Sequence, residues 1–153
     1  MAIKKINVSL IGKELPRDTG RTDEGTPISL FDFKGRAIAV FLTGDGVLSS
    51  QLKLVRQLKE ASKEFLSYNC SPIWVSTESE EILAAARDLD KLPFMIISDF
   101  SKEIHNEMQY DFSSDKINVW IADDKGKIIS AIPSMEPISL VNATIAALPR
   151  YFS

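Results

Sequence analysis

The chain has 153 residues, 44% hydrophobic and 25% charged, the proportions of a single globular domain spanning residues 1–153. Lys and Arg number 18 and Asp and Glu 21, so the net charge is −3 and gives no electrostatic reason to expect binding to nucleic acid or an anionic membrane. The single cysteine, Cys70, excludes an internal disulfide, and one His beside it argues against a conventional zinc site.

The longest apolar run, Ala37 to Leu42, is six residues, against the roughly 20 that a membrane-spanning helix needs. The start, Met1 to Val8, has neither a long apolar stretch nor a small-residue cleavage site, so no signal peptide and a cytoplasmic location are expected.

The first thirty residues are rich in turn signals: Asp18-Thr19-Gly20, Asp23-Glu24-Gly25 and, slightly later, Lys34-Gly35. Partial alternation over Ile28 to Phe33 predicts a short strand or hairpin. Ala37 to Leu42, continuous and apolar between Gly35 and Gly44, predicts a strand covered on both faces.

Leu48, Leu52, Val55, Leu58, Ala61 or Ser62, and Phe65 recur at helical spacing, with Lys53, Arg56, Lys59, Lys63 and Glu64 opposite. This predicts an amphipathic helix over about 50–68, capped by Ser49 or Ser50. Pro72 to Ser76 reads as a strand, and Thr77-Glu78-Ser79-Glu80 as a capping box with Thr77 as cap. The helix it opens carries Ile82, Leu83, Ala85, Ala86 and Leu89.

Phe94 to Ile97 is a buried strand and Ser101 to about Gln109 a short helix. Ile117 to Ala122 and Lys127 to Ile132 form a hairpin around Asp123-Asp124-Lys125-Gly126. Pro137 opens a last helix that runs to about Leu148. Strands alternating with helices, closed by a hairpin, predict an α/β, thioredoxin-like fold: a central mixed β-sheet flanked by helices on both faces.

Sites in such sheets gather beyond the C-terminal ends of strands. The loop from Thr43 to Ser50 leaves the first central strand and enters the long helix, where free N–H groups favour an anion such as a thiolate. Here the sequence resembles the peroxiredoxin family, also called the alkyl hydroperoxide reductase and thiol-specific antioxidant family. Gly25 to Arg36 resembles its G-x-x-x-x-L-x-D-x-K-G-K segment, and Ala37 to Leu42 its first core strand. Ile73 to Ser79 resembles V-x-V-S-x-D-S, Ile97-Ser98-Asp99 resembles L-S-D, and Trp120 to Ile128 resembles F-x-I-D-x-x-G-x-I.

The family signature is Pro-x-x-x-Thr-x-x-Cys, whose thiolate attacks a peroxide oxygen and becomes a sulfenic acid, with a distant Arg helping to hold both. That spacing falls here on Thr43, Val47 and Ser50, while the Arg position falls at Ile117 and Asn118. Serine ionises far less readily than cysteine and has no comparable oxidised state. The resemblance therefore implies a vestigial pocket of Thr43, Val47, Ser50, Ile117 and Asn118, with no expected catalytic residue, cofactor or metal. It implies a non-enzymatic binding, scaffold or assembly role, an unknown protein partner and a homodimer.

The alternative is an antioxidant oxidoreductase using Cys70. Cys70 precedes the strand ending at Ser76 and should lie at the opposite end of the sheet from Ser50, roughly 20 Å away at about 3.3 Å per residue. No basic neighbour lowers its pKa and no second cysteine resolves it, which favours a buried structural thiol.

Ser50 as an acyl-transfer nucleophile needs a base, and His105 is the single histidine. Without a Gly-x-Ser-x-Gly elbow, helix capping is the stronger reading for Ser50, and a surface or capping role for His105. Asp45 reads as a turn residue, and Gly44-x-Gly46 is not a phosphate loop because no Gly-Lys-Ser/Thr follows. Trp74 and Trp120 lie on core strands, and Trp74 either fills a former substrate space or simply packs the core.

Overall fold

The computed structural model describes residues 9–44, 48–113 and 116–152, with residues 48–50 described by their backbone alone. Among the described residues, seven strands and four helices follow one another in the predicted alternation. They are β1 (Thr19–Thr22), β2 (Pro27–Ser29), β3 (Ala37–Thr43), α1 (Leu48–Ser67), β4 (Cys70–Ser76) and α2 (Glu80–Asp90). After them come β5 (Met95–Ser98), α3 (Glu103–Glu107), β6 (Asn118–Ala122), β7 (Ile128–Ile132) and α4 (Pro137–Ala147). No helix among the described residues is long and apolar enough to cross a membrane.

The strands form one sheet in the order β2-β1-β5-β4-β3-β6-β7. β3 pairs parallel with β4, and β4 with β5, while β6 runs antiparallel to β3 and β7 to β6. All seven residues of β3 are buried, as its continuous apolar run requires. Its side chains divide by parity. Ala37, Ala39 and Phe41 face a core shared with α1, α2 and α4. Ile38, Val40 and Leu42 face a second core closed by Leu30, Ile104 of α3 and Trp120. The fold is thus the expected thioredoxin-like mixed sheet with helices on both faces.

Three local expectations are corrected. The alternation over 28–33 ends at Ser29, and Leu30–Phe33 forms a 3₁₀ turn instead. Ser29 and Asp32 explain this: the Ser29 hydroxyl accepts from Asp32 N at 3.3 Å, and the Asp32 carboxylate accepts from Ser29 N at 2.8 Å. Helix α1 begins at Leu48, so Ser49 and Ser50 sit in its first turn rather than at its cap.

The cap of α2 is Ser79, not Thr77. Ser79 is extended and accepts from Ile82 N at 3.4 Å, while Thr77 is buried just after β4. Glu80 enters the first helical turn, where the dipole favours its charge, and its carboxylate meets Arg21 at 3.6 Å. Of the apolar residues the helix carries, Leu83 and Ala86 form its inner face, while Ile82 and Leu89 are exposed.

Candidate functional site

Three parallel strands end at one rim, with Thr43 opposite Ser76 and Ser76 opposite Ser98. Helix α1 starts above this rim, and Gln51, at the end of its first turn, points inward and is 4% exposed. This side chain ties β3, β4 and α1 together at the rim. The Gln51 carbonyl oxygen accepts from the Thr43 hydroxyl at 2.9 Å and from the Ser76 hydroxyl at 3.0 Å. Its amide nitrogen donates to the Gly44 carbonyl at 3.1 Å. Trp74 donates its indole N–H to the Thr43 hydroxyl at 2.8 Å.

Every polar atom of that cluster therefore has a partner of the right kind, which is what makes its burial tolerable. The Trp74 ring packs in the core under α1, and its nitrogen reaches the rim. Core packing is thus one role of Trp74, and its indole nitrogen anchors the Thr43 hydroxyl as well.

The other face of Thr43 carries a second polar pair. His105 and Asp99 are fully buried, with Nδ1 2.6 Å from the Asp99 carboxylate. His105 Nε2 lies 2.8 Å from the Thr43 carbonyl. A carbonyl oxygen only accepts, so Nε2 carries a hydrogen and donates it. The Asp99 carboxylate also accepts from the backbone N–H of Ile104 at 3.1 Å and of His105 at 2.7 Å. Both ring nitrogens are thereby occupied, and the imidazole has no lone pair free to act as a base for a serine.

Tyr110 stands edge-on to His105 with ring centroids 4.9 Å apart. It also covers Gly44 so closely that a Cβ there would lie 2.8 Å from the Tyr110 ring. Its hydroxyl donates to the Lys116 carbonyl at 2.7 Å, tying the approach to β6 to the same rim.

The sequence-predicted positions fall as follows. Thr43 is buried in the network, and Asn118 opens β6 opposite Leu42, with Ile117 buried just before it. Val47, Asp45 and Gly46 lie outside the described residues, and Ser50 is placed by its backbone only, in the first turn of α1. His105 is neither at the surface nor a helix cap: it is wholly buried because Asp99 and the Thr43 carbonyl satisfy both nitrogens.

Cys70 opens β4, opposite Ala37 at the far end of the strands, and is fully buried. Burial pushes its thiol up to about 12, because a thiolate there would lose its hydration without gaining a partner.

Gln51, Asp99 and Tyr110 were not legible as site residues. Gln51 had one signal: it precedes Leu54, Val55 and Leu58 by three, four and seven residues, the spacing of a buried helical face.

Comparison with known proteins follows this geometry. The chain resembles the crystal structure of peroxidoxin BcpB from Mycobacterium tuberculosis, with a TM-score of 0.82 and 16% identity, over 94% of this chain and 98% of that one. A cysteine-to-serine mutant of PrxQ from Xylella fastidiosa gives a TM-score of 0.80 and 10% identity, over 99% of each chain. The thioredoxin domain of a thiol-disulfide oxidoreductase from Bacteroides vulgatus gives 0.68 and 22%, over 90% of this chain and 97% of that one. At these identities the likeness is one of fold. No curated protein matches the sequence. The model of the AhpC/TSA family matches residues 11–131, a span holding every strand but the last residue of β7. The chain belongs to the AhpC/TSA family.

Proposed function

We propose that this protein is a peroxiredoxin-family scaffold without thiol peroxidase chemistry, and that it acts as a binding or assembly module. The observation that carries this reading is the position of its single thiol: Cys70 is buried at the end of the strands opposite the rim where α1 begins. By sequence spacing, the family's Cys, Thr and Pro positions fall on Ser50, Val47 and Thr43, and Ile117 and Asn118 take the place of its Arg. The Gln51 network supports the same reading, since it ties the rim together with the chain's own side chains. A cytoplasmic homodimer completes the proposal, and sedimentation equilibrium should return twice the 17.0 kDa chain mass.

The alternative, peroxide reduction through Cys70, draws on the family membership. Peroxide consumption by wild type, Cys70→Ala and Ser50→Cys separates the two. The proposal expects all three to consume peroxide no faster than free cysteine, Ser50→Cys included, because the orienting Thr and Arg are missing. Consumption by wild type that vanishes in Cys70→Ala establishes the alternative.

A further inference from the structure

Two adjoining hollows lie at the end of the sheet opposite the Gln51 rim. The larger, about 620 Å³, opens between the C-terminal end of α1, the β6–β7 turn and residues Tyr151 and Phe152. The smaller, about 290 Å³, is walled by Phe33, Pro72, Pro93, Phe94 and Met95. Arg36, Leu66 and Ser71 line both, which makes them one groove.

Its chemistry differs along its length. The smaller part is apolar. Leu66, between the two parts, is 56% exposed, and Tyr151 in the larger part is 43% exposed. Aromatic and aliphatic side chains left uncovered in a concave surface are the composition of an interface anchor site.

The larger part is electronegative. Helix α1 ends there with no basic residue in its last turn, so no cation of that turn offsets the negative end of its dipole. Asp123 and Asp124 face the same hollow. One Asp123 oxygen accepts the backbone N–H groups of Lys125 and Lys127, which fixes the side chain at the turn, and Asp124 is exposed with no ion pair among the described residues. Among the described residues, the single cation lining the groove is Arg36, held at its centre by a 3.2 Å hydrogen bond to the Ser71 hydroxyl.

We infer that this groove receives a short extended segment of a partner protein. An apolar side chain of the segment seats against Phe33, Pro72 and Phe94. A Lys or Arg of the segment lies by Tyr68, Tyr151 and Asp124, where both carboxylate and aromatic faces attract a cation. The remaining donors of Arg36 serve main-chain carbonyls between the two anchors. This inference rests on the binding-module reading above and names its surface and the chemistry of its partner.

Selection from a phage-displayed library of random peptides, followed by fluorescence anisotropy on the recovered sequences, tests it. The recovered peptides should share an apolar residue followed within a few positions by Lys or Arg. Leu66→Glu and Asp124→Lys both change exposed side chains, so the fold survives, which far-UV circular dichroism checks. Each should weaken binding about tenfold or more. Replacing the basic residue of the peptide by Glu should restore binding to Asp124→Lys. Recovery of acidic motifs or of none, or equal binding by both variants, overturns the inference. Loss of self-association in Leu66→Glu also overturns it, by assigning the groove to a second copy. Failure of the peptides while no peroxide is consumed refutes this assignment alone. Peroxide turnover lost in Cys70→Ala refutes the reading beneath it.

Discussion

Cys70 shows how placement decides chemistry. In the folded protein its thiol is pushed up to about 12 from the ordinary 9.0, by burial alone. The folded state therefore holds a proton between those values that the unfolded state releases. Stability from this group is fully present below pH 9.0 and falls as pH rises toward 12, with a limiting slope of about 1.4 kcal/mol per pH unit. Urea midpoints between pH 8 and about pH 11 should fall faster for wild type than for Cys70→Ala, and parallel curves would contradict the placement.

Gln51 supplies the other residue-scale prediction. Its side chain makes three hydrogen bonds in the interior. Gln51→Ala leaves two hydroxyls and a carbonyl short of partners, and should cost about 2–3 kcal/mol in equilibrium unfolding. Truncation of an exposed residue of the same helix, Lys53, should cost at most about 0.5 kcal/mol.

Position 51 also shows why the site was only partly readable. A glutamine at helical spacing with Leu54, Val55 and Leu58 belongs to the buried face, but composition alone assigns it to solvent. Only the hydroxyls of Thr43 and Ser76, brought together by parallel pairing of β3 and β4, make the inward position favourable. The Asp99–His105 pair was hidden for the same reason: six residues apart in sequence, it acquires its meaning from the Thr43 carbonyl, 62 residues from His105.

At the scale of elements, the strands and helices were legible because each carries its own periodicity. β3 is a continuous apolar run, and α1 alternates at three and four residues. Boundaries were less legible where two capping residues compete. Ser79 rather than Thr77 caps α2, because β4 continues through Ser76 and buries Thr77 behind it. Helix α2 is also tied to the β1–β2 turn.

Arg87 donates to both oxygens of Asp23, at 2.6 and 3.1 Å, and to the carbonyls of Leu92 and Phe94. With Asp23 only 10% exposed at its side chain, this pair outweighs the solvent-exposed Arg17–Glu14 contact. Arg87→Ala should cost about 2–3 kcal/mol, against about 0.5 kcal/mol or less for Arg17→Ala. Thermal or urea unfolding of the two variants measures the difference, and equal losses would contradict it.

At the scale of the whole molecule, the two ends of the sheet differ in kind. The end where α1 begins holds a network of satisfied polar contacts among Thr43, Gln51, Trp74 and Ser76. The end where α1 finishes carries the groove lined by Leu66, Tyr151 and Asp124. A family scaffold keeps its sheet order because the alternating apolar runs demand it, whatever stands at position 50. In the proposed reading, the chemistry is lost at that position because serine does not supply a soft, ionisable sulfur.

The proposed lack of thiol peroxidase activity is decided by intact-mass analysis of the reduced protein during exposure to hydrogen peroxide. Peroxide should persist, and Cys70 should gain oxygen no faster than free cysteine. Rapid loss of peroxide with a matching gain of oxygen on Cys70 would contradict it.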